Sequence, residues 1–286
     1  MEESLVDLLK DKVAVVSGAA RGQGRSHAIR LAEEGADIVA LDLCSDIASV
    51  PYPLATGADL AETTARIERL GRRVVAIEAD VRDHASVTAA VDRGVQELGR
   101  LDIVVANAGI VSYAVVSEVS VDMWQDMIAT NLTGVWNLCQ ASTRHLVDGG
   151  RGGAMVLTSS SAAHVGVAHL AHYSAAKAGV VGLMQSLAVE LAPHRIRVNT
   201  VHPTAVNTPM LQNEVTYRLF APGLTAAVDP VSPPEEVAGP LRSLNSLPVP
   251  WIEASDVSEA VLYLASDRGR YVTGTQLRVD AGSAVR

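Results

Sequence analysis

The sequence predicts an α/β fold: a single Rossmann-type domain in which helices cover both faces of a doubly wound parallel sheet of about seven strands. Short apolar runs rich in Val, Ile and Ala alternate with longer helical stretches along the whole chain. The chain also begins with a strand, a glycine-rich loop, a helix and a second strand. Its 286 residues are 48% hydrophobic but only 3% aromatic, which suits a buried parallel sheet flanked by Ala-rich helices. We therefore expect one domain over residues 1–286.

The first unit of the chain is typical of a dinucleotide site. The apolar run Lys12–Ser17 predicts a strand, and the helical stretch His27–Glu34 follows the loop Gly18–Gly24. A second predicted strand, Ala36–Leu41, ends at Asp42. This order places backbone amides and a helix N-terminus at a pyrophosphate, and glycines let the backbone approach the phosphates closely. The unit therefore predicts nucleotide binding.

The rest of the chain continues the alternation of strand and helix. Strands are predicted where short runs of β-branched or small apolar residues occur: Arg73–Ala79, Leu101–Ala106, Ala154–Ser159, Arg195–Val201 and Gly274–Asp280. Helices are predicted for the longer stretches: about Ala58–Leu70, Ala85–Leu98, Val121–Leu146, Tyr173–Leu191 and Ala254–Ala265. This order implies βαβ units and a parallel sheet.

Two segments interrupt the rhythm. Residues 43–57, here called the insertion, are longer than the ~2–6 residues usual between a strand and a helix. Residues 209–254 are rich in proline and hold Tyr217, Phe220 and Trp251, scarce aromatics that a disordered linker would rarely concentrate. Long ordered loops in compact domains are usually binding loops or lids. We predict that the insertion lies over the cofactor and that residues 209–254 form a substrate lid.

Three polar residues indicate a catalytic site. Tyr173 and Lys177 lie four apart at the start of an Ala-rich helix, so they share a face and the ammonium lies beside the phenol. A free phenol has a pKa of about 10, and a nearby cation favours phenolate, which predicts a lowered Tyr173 pKa and proton transfer. Ser160 follows the strand before this helix, so its hydroxyl can face the same site. The Tyr173–Lys177 spacing alone is weak evidence for a catalytic site, because Tyr and Lys are also ordinary surface residues.

Composition and charge argue against several kinds of partner. A net charge of −9 with no long basic run argues against nucleic acid and anionic membranes. Cys44 and Cys139 show no metal spacing and are expected as reduced thiols in a cytoplasmic protein. No signal-peptide pattern is present, and no apolar run approaches the ~20 residues that span a bilayer. His164, His169 and His172 lie close together in the chain, but no carboxylate or Cys lies at ligand spacing from them. No metal site is therefore predicted.

Together these motifs resemble the short-chain dehydrogenase/reductase family over nearly the whole chain. The family's glycine loop, its Asp-Val pair, its Asn-Ala-Gly motif, its Asn-bearing helix and its Ser, Tyr and Lys positions occur in order. The matching residues are Gly18, Gly22, Gly24, Asp80, Val81, Asn107, Ala108, Gly109, Asn131, Ser160, Tyr173 and Lys177. Two positions depart from the pattern: Ser17 replaces a common Thr, and Thr204 stands where Gly often follows Pro203.

The resemblance implies hydride transfer between an alcohol and a bound nicotinamide. Tyr173 would exchange the alcohol proton, Lys177 would lower the Tyr173 pKa and bind the nicotinamide ribose, and Ser160 would bond the substrate oxygen. Asn131 would order a water that links Lys177 to solvent, and Thr208 would bind the carboxamide. The implied cofactor-binding residues are Gly18, Arg21, Gly22, Gln23, Gly24, Asp42, Leu43, Asp80, Val81, Asn107, Ala108, Gly109, Tyr173, Lys177, Val206 and Thr208.

Asp42 favours NAD over NADP. Its carboxylate is placed to accept hydrogen bonds from the adenosine ribose and would repel a 2′-phosphate. Arg21 in the glycine loop is the competing signal, but Leu43 and Cys44 add no second positive charge after Asp42. NAD is therefore the predicted cofactor.

A narrower similarity is to the mycofactocin-coupled members of the family, which include carveol dehydrogenase-like enzymes of actinobacteria. It rests on residues 18–27, 201–204 and 217–220 and on the insertion. The similarity implies a small hydrophobic alcohol or ketone substrate of terpenoid type, NAD held through turnover and a mycofactocin electron carrier. One alternative is an ordinary short-chain dehydrogenase with freely exchanging NAD for steroid, polyol or acyl substrates. Another is a non-catalytic NAD-sensing protein.

Surplus apolar residues on two helices predict self-association. The stretches Trp124–Leu146 and Tyr173–Leu191 hold more apolar residues than one stripe against the sheet needs. We expect a homotetramer or homodimer through these helices.

Overall fold

The computed structural model describes residues 7–221, 223 and 235–286. In these residues one parallel sheet is formed by β1 (Val13–Ser17), β2 (Asp37–Asp42), β3 (Val74–Glu78), β4 (Ile103–Ala106), β5 (Gly153–Thr158), β6 (Ile196–Pro203) and β7 (Gln276–Val279). The order across the sheet is β3-β2-β1-β4-β5-β6-β7, and every neighbouring pair is parallel. The predicted fold class is confirmed.

Helices cover both faces of this sheet. The helices of the described residues are α1 (Gly22–Glu33), α2 (Gly57–Arg69), α3 (His84–Leu98), α4 (Val121–Ile128), α5 (Gly134–Gly149), α6 (Ala171–Leu191), α7 (Glu214–Phe220), α8 (Glu235–Arg242) and α9 (Ala254–Ala265). Of these, α7 and α8 pack against each other in a separate apolar cluster. Val104 of β4 packs in the cluster with α3, α5 and α6, whereas Val105 packs in the cluster with α1, α2 and α9. The side chains of successive strand residues thus point to opposite faces of the sheet, and helices bury both faces. This is why every residue in the strand runs of the sequence can be apolar.

The strand order places a crevice at one edge of the sheet. β1 pairs with β2 on one side and with β4 on the other. The connections after β1 and β4 therefore diverge, and ligands of such sheets bind where they separate, beyond the carboxyl ends of the strands.

Helix α1 begins earlier than predicted, at Gly22 rather than at His27. Glycine is a poor helix former, so the sequence assigned Gly22 and Gly24 to the loop. The helix is nevertheless extended here because Gly24 packs directly on the Gly18 carbonyl, with which any Cβ at position 24 would collide.

The predicted helix Val121–Leu146 contains one irregular turn. Residues 129–133 are π-helical and join α4 to α5, which ends at Gly149. Asn131 lies inside this turn. Single π turns are rare and often occur at functional sites.

The second predicted loop, residues 209–254, is not irregular throughout. It contains α7 and α8, and Pro240 lies inside α8. The predicted lid also includes Pro222, Pro230, Pro233 and Pro234, which lie outside the described residues.

Helix α6 differs from prediction in its apolar length. Ala171–His194 is long and apolar enough, by length and composition, to cross a membrane, although the sequence was expected to hold no such run. In the structure Val180 and Met184 of α6 pack in the core with β5 and β6, and Lys177 is buried. Only 33% of the apolar window is buried, and Val189 of α6 is 78% exposed.

Candidate active site

The glycine loop is built for close approach of a ligand to the backbone. Gly18 has φ +66°, and a Cβ there would lie 2.9 Å from the Ala108 Cα. Gly22 has φ +55°, and a Cβ added to it would lie 3.4 Å from the Thr208 side chain. Side chains at these positions would be strained, and at Gly18 one would also collide with the loop after β4.

Ser17 and Asn107 tie the ends of β1 and β4 together. The Ser17 hydroxyl accepts hydrogen bonds from the backbone N–H groups of Asn107 and Ala108, both at 3.1 Å. The Asn107 amide donates in return to the Ser17 carbonyl oxygen at 3.1 Å. Ser17 stands where the family commonly has Thr. Its hydroxyl holds the two loops at a fixed separation.

Asp42 closes the loop from the second strand. Its carboxylate accepts hydrogen bonds from the backbone N–H groups of Ala20 at 2.9 Å and Cys44 at 3.3 Å. Arg21 turns towards the insertion, where its guanidinium donates to the Pro53 carbonyl oxygen at 2.6 Å. The competing positive charge of the glycine loop is thus bound to the insertion.

The insertion (residues 43–57) is anchored beyond this contact. Tyr52 is buried, and its hydroxyl accepts a hydrogen bond from the Val111 N–H at 3.2 Å. Ser49 donates to the Asp126 carboxylate on α4 at 2.7 Å. Ile47 and Tyr52 pack in an apolar cluster with residues that include Met127, Ala176 and, partly buried, Tyr173. The insertion therefore crosses from the glycine loop to the wall of the tyrosine site.

Lys177 is buried beneath the site, with a relative exposure of 3%. Its ammonium donates to the Thr158 carbonyl oxygen at 2.8 Å, and the Lys177 carbonyl oxygen accepts from the Ser159 hydroxyl at 2.8 Å. Burial disfavours the charged form and lowers the pKa of Lys177 to about 8. These two bonds fix α6 to the end of β5.

Tyr173 and Ser160 meet as predicted, but the Tyr173 pKa is not lowered. The pKa of Tyr173 is raised to about 12, mainly by burial and to a smaller extent by Tyr113, while a hydrogen bond from Ser160 acts in the opposite direction. The Lys177 ammonium lies 5.8 Å from the centre of the Tyr173 ring. The prediction of a lowered pKa was therefore wrong for the protein alone, because desolvation of the phenolate outweighs the nearby charge.

The Asn131 amide is bonded to the loop after β4. Its oxygen accepts from the Ile110 N–H at 2.8 Å, and its nitrogen donates to the Ile110 carbonyl oxygen at 2.8 Å. The amide thus clamps one peptide unit of the loop after β4. A Cβ on Gly109 would lie 3.3 Å from the Asn131 oxygen and 3.5 Å from the Lys177 nitrogen, so only glycine leaves this space open.

Two adjoining cavities occupy the crevice. The loop cavity, about 140 Å³, borders the glycine loop and the insertion, and the tyrosine cavity, about 740 Å³, borders Ser160 and Tyr173. Residues that border both cavities include Gln23, Asn107, Gly109, Ile110, Thr208 and Met210. Among the residues that the structure describes, the buried side-chain oxygen of Gln23 has no hydrogen-bond partner. A glycine cradle, an acid at β2 and this free acceptor fit a bound dinucleotide.

Most predicted site residues border one of these cavities. The loop cavity is bordered by Gly18, Arg21, Gly22, Gln23, Asp42, Leu43, Asp80, Val81, Asn107, Ala108, Gly109 and Thr208. Ser160, Tyr173, Lys177 and Val206 border the tyrosine cavity. Gly24 and Asn131 border neither and support the loops from behind.

Tyr113 was not predicted. It borders the tyrosine cavity, and its hydroxyl lies 3.3 Å from the Thr216 hydroxyl on α7. Its position shortly after Gly109, in a chain with six tyrosines, is the signal that could have identified it.

Comparisons with known proteins agree with this geometry. The chain is 53% identical to (-)-trans-carveol dehydrogenase of Rhodococcus erythropolis over 279 residues. This match covers 97% of this chain and 99% of that protein. It is 52% identical to carveol dehydrogenase from Mycobacterium avium, crystallised with NAD, with a TM-score of 0.94 over 97% of this chain and 99% of the other. A short chain dehydrogenase from Mycobacterium paratuberculosis bound to NAD is 39% identical, with a TM-score of 0.87 over the same shares.

The family model for short chain dehydrogenases matches residues 12–218. This chain belongs to the short-chain dehydrogenase family.

Proposed function

We propose that the protein is an NAD-dependent alcohol dehydrogenase that oxidises a small hydrophobic secondary alcohol of terpenoid type. The observation that carries this proposal is the continuous crevice from the glycine loop to the Ser160–Tyr173 pair. NAD as the cofactor agrees with its presence in both similar crystal structures. A carveol-like substrate agrees with the two carveol dehydrogenases to which the chain is similar.

The lining of the tyrosine cavity supports an apolar substrate. Val165, Val167, Leu170, Leu211 and Phe220 border it. Apolar walls with a few convergent polar groups are typical of sites for small organic ligands. The hydroxyls of Ser160 and Tyr173 supply the polar end at which an alcohol oxygen can bind.

Tyr173, Ser160 and Lys177 each have a separate role in the proposed reaction. Bound NAD supplies the hydride acceptor and a positively charged ring. Ser160 holds the alcohol oxygen, and Tyr173 takes its proton as general base. Lys177 holds its ammonium under the site, where one of its three donors bonds Thr158 and the others can bind the cofactor ribose. Asn131 supports the reaction by fixing the loop at Ile110.

Replacing Tyr173 tests its assignment as the base. We expect Tyr173→Phe to lower the rate of alcohol oxidation by at least ~10²-fold, the usual scale for a positioned proton-transfer group. NAD binding should be retained. Steady-state kinetics and cofactor titration measure the two effects. Tyr271→Phe is the control, because it removes an exposed phenol that borders neither cavity. Near-normal turnover of Tyr173→Phe would remove the assignment.

Asp42 should set the cofactor preference. We expect cofactor-free protein to bind NAD more tightly than NADP, and Asp42→Ala to reduce that ratio by at least ~10-fold, equivalent to about 1.4 kcal/mol. The reason is repulsion between the carboxylate and a 2′-phosphate. Calorimetric titration with both cofactors measures the ratio. Asp46→Ala, which removes a carboxylate of the insertion bonded to Leu54, should leave it unchanged. Equal affinities in the wild type would contradict the role.

We also propose that the insertion holds NAD through turnover and that a mycofactocin-type carrier reoxidises it. The support is physical: the insertion borders the loop cavity and is bonded at both ends of the crevice, through Arg21 and Tyr52. Contacts of this kind slow dissociation more than association. The alternative is an ordinary dehydrogenase with freely exchanging NAD.

Isotope exchange separates these two possibilities. We expect labelled NAD added with alcohol to exchange slowly, over many catalytic cycles, when an artificial electron acceptor is present. Tyr52→Phe should speed release by about 5-fold, because a neutral hydrogen bond contributes about 1 kcal/mol. Rapid exchange with steady NADH release from the wild type would show that the insertion does not retain the cofactor.

We propose, finally, that the protein is a homotetramer or homodimer through α4, α5 and α6. Trp124, Trp136 and Val189 are exposed apolar side chains on these helices, at 47%, 45% and 78%. Exposed apolar faces of this kind usually mark contacts between subunits. Sedimentation should show an oligomer at micromolar concentration, weakened by Val189→Glu. A wild-type monomer under these conditions would contradict the proposal.

A further inference from the structure

His202 lies near the end of β6 and is fully buried. Its Nδ1 is 3.0 Å from the backbone carbonyl oxygen of Ser160. Its Nε2 is 2.8 Å from the Thr200 hydroxyl, on the same strand. Both ring nitrogens therefore have a partner, and one of those partners is the backbone of a proposed catalytic residue.

The two partners determine the proton arrangement of the ring. A carbonyl oxygen can only accept, so Nδ1 must carry the proton and donate it to Ser160. In the neutral ring Nε2 is then an acceptor, and the Thr200 hydroxyl donates to it. Burial lowers the pKa of His202 to about 4; the bond to the Ser160 carbonyl opposes this shift, and the neighbouring His164, Arg278 and Lys177 charges add to it. The imidazole is thus neutral and held in one tautomer at neutral pH.

Ser160 lies beyond the sheet, and His202 provides the bond from its carbonyl oxygen back to a strand. β5 ends at Thr158, and Ser159 still donates its backbone N–H to the Val201 carbonyl oxygen at 2.9 Å. After that point the Ser160 carbonyl oxygen accepts from the Ala163 N–H at 3.1 Å, within the turn that follows, and from His202, which ties it to β6. On its other side, the Ser160 hydroxyl accepts from the Ala162 N–H at 3.2 Å and bonds Tyr173.

We propose that His202 is a positioning residue for the dehydrogenase reaction: it anchors the Ser160 backbone so that the Ser160 hydroxyl is held between Tyr173 and the substrate oxygen. The chain of contacts runs from Thr200 through His202 and Ser160 to Tyr173. This inference rests on the proposed function, because it assigns His202 to the same site. His202 touches neither the tyrosine cavity nor the loop cavity, so it acts only through Ser160.

Two substitutions separate the hydrogen bond from the shape of the ring. His202→Phe keeps a ring in the space but removes the donor to Ser160. His202→Asn places an amide N–H at nearly the position of Nδ1 and can restore that bond. The matched control is His164→Phe. The His164 ring packs on His202 with centroids 4.5 Å apart, and its hydrogen-bonding groups do not hold Ser160.

The kinetic test uses the NAD-bound enzyme and an alcohol that the wild type oxidises. We expect His202→Phe to lower kcat by about 10- to 100-fold, because misplacement of a catalytic group by about 1 Å can cost that much. NAD affinity should stay unchanged, His202→Asn should recover most of kcat, and His164→Phe should resemble the wild type. If His202→Phe keeps wild-type kcat, or if His202→Asn is as slow as His202→Phe, the proposal is overturned.

The pH profile provides a readout that a purely structural role would not move. The Ser160 bond lowers the pKa of Tyr173, whereas Tyr113 and burial raise it, and the Lys177 ammonium lies beside the ring. Loss of the anchor should weaken the Ser160 bond and shift the ascending limb of kcat to higher pH in His202→Phe, but not in His164→Phe. An unshifted limb in His202→Phe would count against the proposal.

Neutron diffraction tests the anchor independently of activity. We expect a hydrogen isotope on Nδ1 of His202, directed at the Ser160 carbonyl, and none on Nε2. A proton on Nε2 with Nδ1 bare would overturn the proposal. If the wild type oxidises no alcohol, the proposed function fails, whereas the tautomer still decides whether His202 anchors Ser160.

Discussion

The buried ammonium of Lys177 is the interaction on which the site depends. A charge removed from water costs several kcal/mol unless it is bonded, so its position is tightly constrained. The carbonyl of Thr158, the last residue of β5, provides that bond. Lys177 therefore fixes α6 against β5. Tyr173, one turn earlier on α6, is thereby brought to Ser160, which follows Thr158 by two residues.

The loop after β4 is the second constraint, and three separate elements hold it. Ser17 bonds its first two backbone N–H groups, Asn131 of the π turn bonds both polar atoms of the Ile110 backbone, and Tyr52 of the insertion bonds Val111. This loop separates the glycine loop from the tyrosine site. Because all three contacts go to the backbone, the loop can present Gly109 to a ligand without losing its shape.

The order of strands and helices could be predicted because it rests on the periodicity of apolar residues, which local sequence reveals. Asp42 could be predicted because it ends β2, and Tyr173 and Lys177 because their spacing of four residues places them on one face of α6. The start of α1 at Gly22 and the π turn at Asn131 could not, because tertiary contacts override weak local propensity there.

Features that depend on distant contacts were also beyond the sequence. The raised pKa of Tyr173 results from burial by several elements together, and the spacing to Lys177 gives no measure of that burial. Tyr113 and His202 act through partners more than forty residues away in the chain, Thr216 and Ser160. Helix α8 was not predicted because Pro240 lies within it, and proline disfavours helix interiors.

The most direct test of this account is the pKa of Lys177. The chain contains three lysines, Lys10, Lys12 and Lys177, so ¹³Cε-lysine NMR gives few signals, and Lys177→Met assigns the one of interest. The account predicts that Lys177 titrates near its lowered pKa of about 8 in cofactor-free protein, because its ammonium is buried under the site. An ordinary lysine pKa of about 10.4 would show that the ammonium is solvated, and would contradict the account.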